Sequence, residues 1–317
     1  AGHPHRALEG QELTAPPLVV VNPAAQNGAA GRRWPRLAEH ARTLGLELDA
    51  VVTEGPGHAS ELAAAAAGEG RELVVALGGD GTVNEVVNGL APLGAAGPEL
   101  AILPFGTGRD TIRTYGIPKN AERALELLRG GRTRTIDLGR AAFRTSAGEG
   151  SRWYINIGSC GLTGAVAERA ERTSKRLGGT PSFLFATVAT FAAWRNVPFR
   201  VQVDDEPAFE LVANNVICAN GRAFGGGIRV CPQAEPDDGL LDVLVWGDVG
   251  KLDLALNLPR LYRGTHLGHR KVTVLRARRV RVEPERPLPL ELDGELPGTT
   301  PATFEIAPGA LRLRVPA

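Results

Sequence analysis

From residue 18 to about residue 137, short apolar runs alternate with segments whose apolar residues recur at helical spacing. Leu18–Asn22, Glu47–Thr53, Glu72–Gly78 and Glu99–Gly106 carry the apolar runs and are predicted as buried strands. The stretches "RRWPRLAEHARTLG", "GHASELAAAAAGEG" and "TVNEVVNGLAPLG" between them are predicted as helices that end on glycine. Strand alternating with helix predicts a mostly parallel sheet covered on both faces, an α/β domain. Ligands of such sheets collect at the carboxyl ends of the strands.

Beyond Arg132–Ala141 the pattern changes to repeated short strands with turn residues: "RWYINIG", "FRVQVDD", "ELVANNVICAN", "LLDVLVWGD", "KVTVLRARRVRVEP", "LPLELDG" and "ATFEIAP". This predicts a β-rich second domain, a β-sandwich. Its helical exceptions are "AVAERAERTSKRLGG", "SFLFATVATFAAW" and "KLDLALNLPRLYRG". The expected organisation is a mobile polar tail over residues 1–16, an α/β domain over 17–137 and a β-sandwich domain over 138–317. The terminal "ALRLRVPA" either closes the β domain or returns to pack on the first.

A chain of 317 residues with 43% hydrophobic content exceeds the usual single core, in agreement with two domains. Lysine plus arginine number 36 against 35 acids, so the overall balance gives no basis for a nucleic-acid partner. Cys160, Cys218 and Cys231 lie far apart without CxxC spacing, which points away from a disulfide framework or zinc and toward the reducing cytoplasm. The start of the chain, with His3 and His5, has no signal-like apolar core. Phe183–Trp194 is too short to span a bilayer, which needs roughly 18 apolar residues. His266 and His269 are spaced poorly for a metal pair and are expected to be structural.

Three strand-to-helix turns carry the candidate chemistry: "NPAAQNGAAGRR" (Asn22–Arg33), "GGDGTVNE" (Gly78–Glu85) and "PFGTGRD" (Pro104–Asp110). Glycine turns entering helices present backbone N–H groups and the positive helix end to an anion such as phosphate. There is no GxxxxGK[ST], and the second turn lacks the third glycine of GxGxxG, so neither a P-loop nor a dinucleotide fingerprint is present. Asp80, in the middle of the second turn, requires either a cation beside it or a proton to accept.

With "VVNPAA", "TEGPGHASELA", "GGDGTVNEVVNG", "PFGTGRD", "IDLG", "PDDGLLDV" and "LELDGE" in this order, the chain resembles the diacylglycerol kinase catalytic-domain family, which includes soluble bacterial lipid kinases and sphingosine kinases. The resemblance covers nearly the whole chain from about residue 18. It implies a Rossmann-like α/β nucleotide-binding domain of the NAD kinase type, a β-sandwich after it, and an active site in the cleft between them. ATP and Mg²⁺ are the implied cofactors.

Carried over residue by residue, the resemblance implies ATP contacts at Asn22, Pro23, Ala24, Ala25, Gln26, Thr53, Gly79, Asp80, Gly81, Thr82, Val83, Asn84, Glu85, Gly106 and Thr107. It implies a magnesium site from the Asp238 carboxylate with the carbonyls of Glu235 and Leu240, a chemistry that suits hard oxygen donors. It also implies catalytic carboxylates at Asp80, Asp293 and Glu295, with the general base at Glu295 in most assignments. Asp80 either orients the attacking hydroxyl or holds magnesium. Arg109 stands where the family usually has asparagine, and Thr163 where it usually has an aspartate. Separately, the cationic stripe Arg169, Arg172, Lys175 and Arg176 reads by default as a solvated charged face, and beside a substrate held in a bilayer it would also favour docking on anionic lipid.

The expected activity is an ATP- and Mg²⁺-dependent lipid kinase, diacylglycerol to phosphatidic acid first, working peripherally at a membrane surface from the cytoplasm. A homodimer is among the states the family suggests. The alternatives are a NAD kinase-like or sphingoid-lipid kinase and a nucleotide-binding regulator without transfer activity.

Overall fold

The structure is a computed structural model and describes residues 14–177 and 187–317, the side chains of residues 174–177 excepted. His3, His5, Lys175, Arg176 and most of the apolar stretch that begins at Phe183 therefore lie outside the described residues or side chains. The chain divides into two compact units, one running to Asp137 and taking in Gly309–Ala317, the other spanning Leu138–Pro308.

The first unit is built on β1 (Leu18–Val21), β2 (Asp49–Val52), β3 (Leu73–Gly78) and β4 (Glu99–Pro104), each followed by helix. The helices are α1 (Ala25–Thr43), α2 (His58–Gly68), α3 (Asp80–Leu90), α4 (Asp110–Tyr115) and α5 (Ala121–Gly130). The strands lie parallel in the order β2-β1-β3-β4, and Leu313 of the chain end pairs parallel with Leu100 beyond β4. Val19–Val21, Leu73–Leu77 and Leu100–Leu103 are buried, because a parallel sheet covered on both faces has no face for water. β2 departs from the expected burial: Val52 is 53% exposed. Among the described residues it pairs only with β1, at the edge of the sheet.

Because β1 is flanked by β2 on one side and β3 on the other, the chain reverses direction across the sheet between β1 and β3. Such a reversal opens a crevice at the carboxyl ends of the two strands. The turns after β1 and β3 start at that point.

The second unit holds β5 (Arg132–Thr145, which begins in the first unit), β6 (Gly148–Tyr154), β7 (Ile157–Gly161), β8 (Val197–Val203), β9 (Phe209–Ala219), β10 (Leu241–Gly247), β11 (Val272–Ala277), β12 (Arg279–Pro284), β13 (Pro289–Leu292) and β14 (Glu295–Val315, which ends in the first unit). Its helices are α6 (Leu162–Leu177), α7, described over 187–193, and α8 (Lys251–Arg263). The pairings β7-β9-β8-β12-β14-β13-β7 close into a circuit of six strands. Val216 and Cys218 of β9 face the core inside this circuit with Phe199, Val280 and Phe304. Ile217 and Ala219 face a second core shared with Leu254 and Leu261 of α8. The two-residue period of the strand thus serves two cores.

Two apolar runs expected as single strands are each broken. "RWYINIG" breaks at Ile155 and Asn156, whose N–H groups turn to the Asp293 carboxylate. "KVTVLRARRVRVEP" breaks at Arg278, where the N–H groups of Arg278 and Arg279 both donate to Asp204 at 2.8 Å. In each case one carboxylate satisfies the backbone donors that leave the ladder. The three cysteines are buried free thiols, and burial pushes Cys160 up to about 12. No helix among the described residues is long and apolar enough to cross a membrane.

Candidate active site

Three turns of the first unit meet at the carboxyl ends of β1, β3 and β4. After β1, Asn22 accepts from the Ala24 N–H through Oδ1 at 3.1 Å and donates through Nδ2 to the Thr82 hydroxyl at 2.9 Å. One side chain thereby closes the first turn and ties it to the second. Gln26, Asn27 and Gly28 follow in left-handed conformation. Two non-glycine residues in that region store strain that surrounding contacts must hold; Arg32 donates to the Asn27 carbonyl at 3.2 Å. Ala24 and Gln26 are exposed, so the turn presents its backbone to solvent.

The second and third turns touch through glycines. A Cβ on Gly106 would lie 2.8 Å from the Gly79 Cα, and one on Gly108 would lie 2.6 Å from Oδ2 of Asp80. At Gly106 a side chain would press on backbone, and at Gly108 it would displace the Asp80 carboxylate. The Asp80 carboxylate accepts from the N–H of Arg109 at 2.8 Å and of Thr111 at 3.3 Å, which caps the amino end of α4. Arg109 has φ 59° and turns its Nε back to the Gly106 carbonyl at 2.9 Å. The acid in the phosphate-type cradle is therefore held by backbone donors of the next turn, and Arg109 staples that turn to itself.

The remaining nucleotide candidates divide by exposure. Thr107 is exposed at the tip of the third turn, while Thr53, Thr82, Val83 and Asn84 are buried. Glu85 accepts from the Ala59 N–H at 3.2 Å, bracing the start of α2. Val83 and Asn84 are 2% and 0% exposed; Val83 packs in the interior, and Asn84 accepts from the Asn88 Nδ2 through Oδ1 at 3.2 Å. Arg33, the last residue of the first turn's motif, lies over the Phe105 ring at 5.4 Å, and its charge is met by Glu122 at 2.6 Å.

In the second unit the turn between β13 and β14 carries Asp293, Gly294 and Glu295. Asp293, at φ 50°, accepts from the N–H groups of Ile155, Asn156 and Ile157 at 2.7, 3.0 and 2.9 Å. Glu291, 4% exposed, accepts from the Gly294 N–H at 2.6 Å through one oxygen and from the Ser159 hydroxyl at 2.5 Å through the other. Ser159 in turn meets Thr163 at 2.9 Å, and Thr163 donates to Asn215 at 3.0 Å. Thr163 is thus joined through one hydroxyl to a buried carboxylate. Sequence reasoning missed Glu291 because nothing in a strand pattern marks one acid as buried. Glu295, paired with Leu292 in the ladder, is exposed, and its carboxylate makes no hydrogen bond or ion pair among the described residues.

The loop bearing Glu235, Asp238 and Leu240 fits a divalent ion poorly. Asp238 accepts from the Leu240 N–H at 3.0 Å and is bound by the Arg276 guanidinium. Burial first, and then the neighbouring Asp238 and Glu235, push the Asp242 carboxyl up, against the pull of Gln233 and Arg276. Here the chain supplies its own cation, the Arg276 guanidinium, to the carboxylate proposed for magnesium. His266 and His269 serve the fold. His266 stacks on Trp246 with centroids 5.5 Å apart and meets the Val230 carbonyl at 3.0 Å, while His269 meets Asp253 at 3.2 Å.

Residues 16–141 match the profile of the diacylglycerol kinase catalytic domain, and residues 156–315 match that of the YegS C-terminal NAD kinase beta sandwich-like domain. A diacylglycerol kinase of Mycobacterium tuberculosis is 30% identical over 300 residues, 94% of each chain. A Pseudomonas aeruginosa protein described as "Probable lipid kinase YegS-like" is 33% identical over 290 residues, 91% of each chain. The crystal structure of a diacylglycerol kinase from Bacillus anthracis superposes with a TM-score of 0.71 at 22% identity, over 96% of this chain and 98% of that one, and shows the same fold. Two matching domains in the right order and near full-length relatives place this chain in the diacylglycerol kinase and YegS-like lipid kinase family, whose members are phosphotransferases that use ATP.

Proposed function

We propose that this kinase transfers the γ-phosphoryl group of ATP to the hydroxyl of diacylglycerol, giving phosphatidic acid and ADP, at the inner surface of the membrane. The observation that carries the choice of base is the contrast among its three candidate carboxylates. Asp80 and Asp293 spend their oxygens on backbone N–H groups, whereas Glu295 is exposed and unpaired among the described residues. A general base needs a free lone pair within reach of the proton it takes. Glu295 is that group, Asp80 positions the third turn, and Asp293 with Glu291 holds the turn on which Glu295 sits.

In the reaction the lipid oxygen forms its bond to Pγ as its proton passes to Glu295. The bond from Pγ to the oxygen of the β-phosphate breaks, and the electron pair leaves on ADP. Such transfer is catalysed mainly by positioning and charge neutralisation. The left-handed turn at Gln26–Gly28, the start of α3 and Thr107 are the groups proposed to hold the phosphates, with backbone N–H groups as donors. Mg²⁺ accompanying the nucleotide would neutralise developing charge; nothing in the steps assigned to Glu295 and Asp80 depends on the Asp238 loop. Three buried free thiols support a reducing compartment.

The test incubates the purified full chain with γ-labelled ATP, Mg²⁺, diacylglycerol, sphingoid base and NAD. Label in phosphatidic acid is expected. Label in NAD or in the sphingoid base replaces the substrate named here, and ATP binding without any labelled product removes the transfer reaction.

A further inference from the structure

A helix lying on a globular unit normally buries one apolar stripe and presents polar groups on the other side. α8 does not. Leu254, Asn257 and Leu261 face inward, and Leu254 and Leu261 join the core shared with β9 and β10. On the opposite side, spaced i, i+4, i+7 and i+11, stand Leu252, Leu256, Pro259 and Arg263, all exposed. Leu252 is 74% exposed and Leu256 70%, with Leu258 and Tyr262 flanking them. Among the described residues these are four of the nine large apolar side chains most open to solvent.

The charges on the same helix are sorted. Its single acid, Asp253, accepts from Asn257 at 2.9 Å and meets His269 at 3.2 Å, so it is spent on the inner side. Arg263 is exposed, while Arg260, also exposed, donates to the Asn257 Oδ1 at 3.2 Å; neither forms an ion pair among the described residues. The outward surface therefore combines leucines with cations and lacks acids. That combination matches an anionic bilayer, where leucines enter the boundary of the acyl chains and arginines meet lipid phosphates. A second copy of the chain would set the arginines of one α8 against those of the other, which is repulsive.

The amino end of this helix also borders a cavity of about 200 Å³ lined by Leu162, Phe191, Trp194, Asn214, Lys251 and Leu254. Leu162 precedes Thr163 in the chain, and Thr163 leads through Ser159 to Glu291 and the Gly294 N–H. The recess has a mixed lining, with Asn196 and Asp248 beside the apolar side chains.

We infer that the outward face of α8 is a docking surface for anionic lipid bilayer, which seats the kinase on the membrane that holds its acceptor. The inference rests on the lipid kinase reading for its purpose but not for its test. The full chain, the Leu252→Asp/Leu256→Asp variant and the Arg260→Gln/Arg263→Gln variant are each sedimented with vesicles of equimolar phosphatidylcholine and phosphatidylglycerol, and with phosphatidylcholine alone. Their turnover of a short-chain diacylglycerol in detergent and their mass in solution are measured in parallel.

Loss of vesicle affinity by about 100-fold is expected for the leucine variant. A loss of about tenfold, confined to the anionic vesicles, is expected for the arginine variant. Turnover in detergent stays unchanged in both. Equal vesicle binding by the leucine variant overturns the inference. So does conversion of a dimer to a monomer by the leucine substitutions, because a second copy then covers the face. If no variant phosphorylates any lipid but the affinities still fall as stated, the docking surface stands and the lipid kinase reading fails.

Discussion

The turn after β3 and the turn before β14 use the same device for different ends. In the first, Asp80 accepts two backbone N–H bonds from the third turn; in the second, Asp293 accepts three from the break between β6 and β7. Each carboxylate joins two turns that are distant in sequence. The difference lies two residues further on, where the second turn offers the exposed Glu295 and the first offers only the buried Thr82. The signature acids of this chain are therefore of two kinds, Asp80 and Asp293 bound to backbone donors and Glu295 left exposed.

The sharpest break of that comparison is Glu295→Gln. Turnover is expected to fall by about 10³-fold, roughly 4 kcal/mol in the barrier, with the urea midpoint unchanged. A large loss of stability would put Glu295 with the scaffold instead. Asp293→Ala should do the opposite, costing about 3 kcal/mol of stability because three backbone donors lose an ionised acceptor. Urea unfolding measures it; a midpoint within error of the parent would mean that water satisfies those donors.

Gly106→Ala tests the contact between the second and third turns. A Cβ 2.8 Å from Gly79 should cost about 1–3 kcal/mol by overpacking and raise KM for ATP more than it lowers kcat. An unchanged KM would detach that contact from nucleotide binding. Arg276→Ala should leave Asp238 without its cation; added Mg²⁺ is then expected to raise the melting temperature of the variant by a few degrees, about 1 kcal/mol, and not that of the parent. No Mg²⁺ response in the variant would show that the loop is not a latent metal site.

The smallest expected effect is the pH response of His266. Burial lowers its affinity for a proton, against two backbone hydrogen bonds that favour the charged form. The unfolded chain therefore binds the proton first, so stability falls as pH drops from 7 through about 6.5 toward the lower folded value. Melting curves should show that slope flattened in His266→Gln by less than about 1 kcal/mol, and an identical slope would assign it to other groups.

Much of the layout of the candidate site could be seen before the fold. The apolar runs of β1, β3 and β4 placed three glycine turns at strand ends, and "GGDGT" with "LDGE" singled out Asp80, Asp293 and Glu295. What could not be seen was which acid would be consumed by backbone donors. Asp80 and Asp293 are chemically alike with Glu295 in one dimension; only folding brings the N–H groups of Arg109 or Asn156 to a carboxylate about 30 or about 140 residues away. Thr163 looked like a lost acid, and Glu291, reached through Ser159, lay hidden in a strand. Nor could the sequence show that Arg276 of β11 comes to the Asp238 carboxylate.

Local spacing and residue type alone determined the two classes of secondary structure, the three phosphate-type turns and the family resemblance, because those depend on neighbours within one turn or strand. Strand order was not among them. Only the tertiary structure set β1 beside β3, bringing Asn22 to Thr82, and exposed β2 at the edge. It also left Leu252 and Leu256 facing outward from a helix whose sequence reads as amphipathic on either side. The physical reason is common to all of these: burial and hydrogen-bond satisfaction are decided by contacts between distant segments, and a linear pattern records only that a group needs a partner, not which one it obtains.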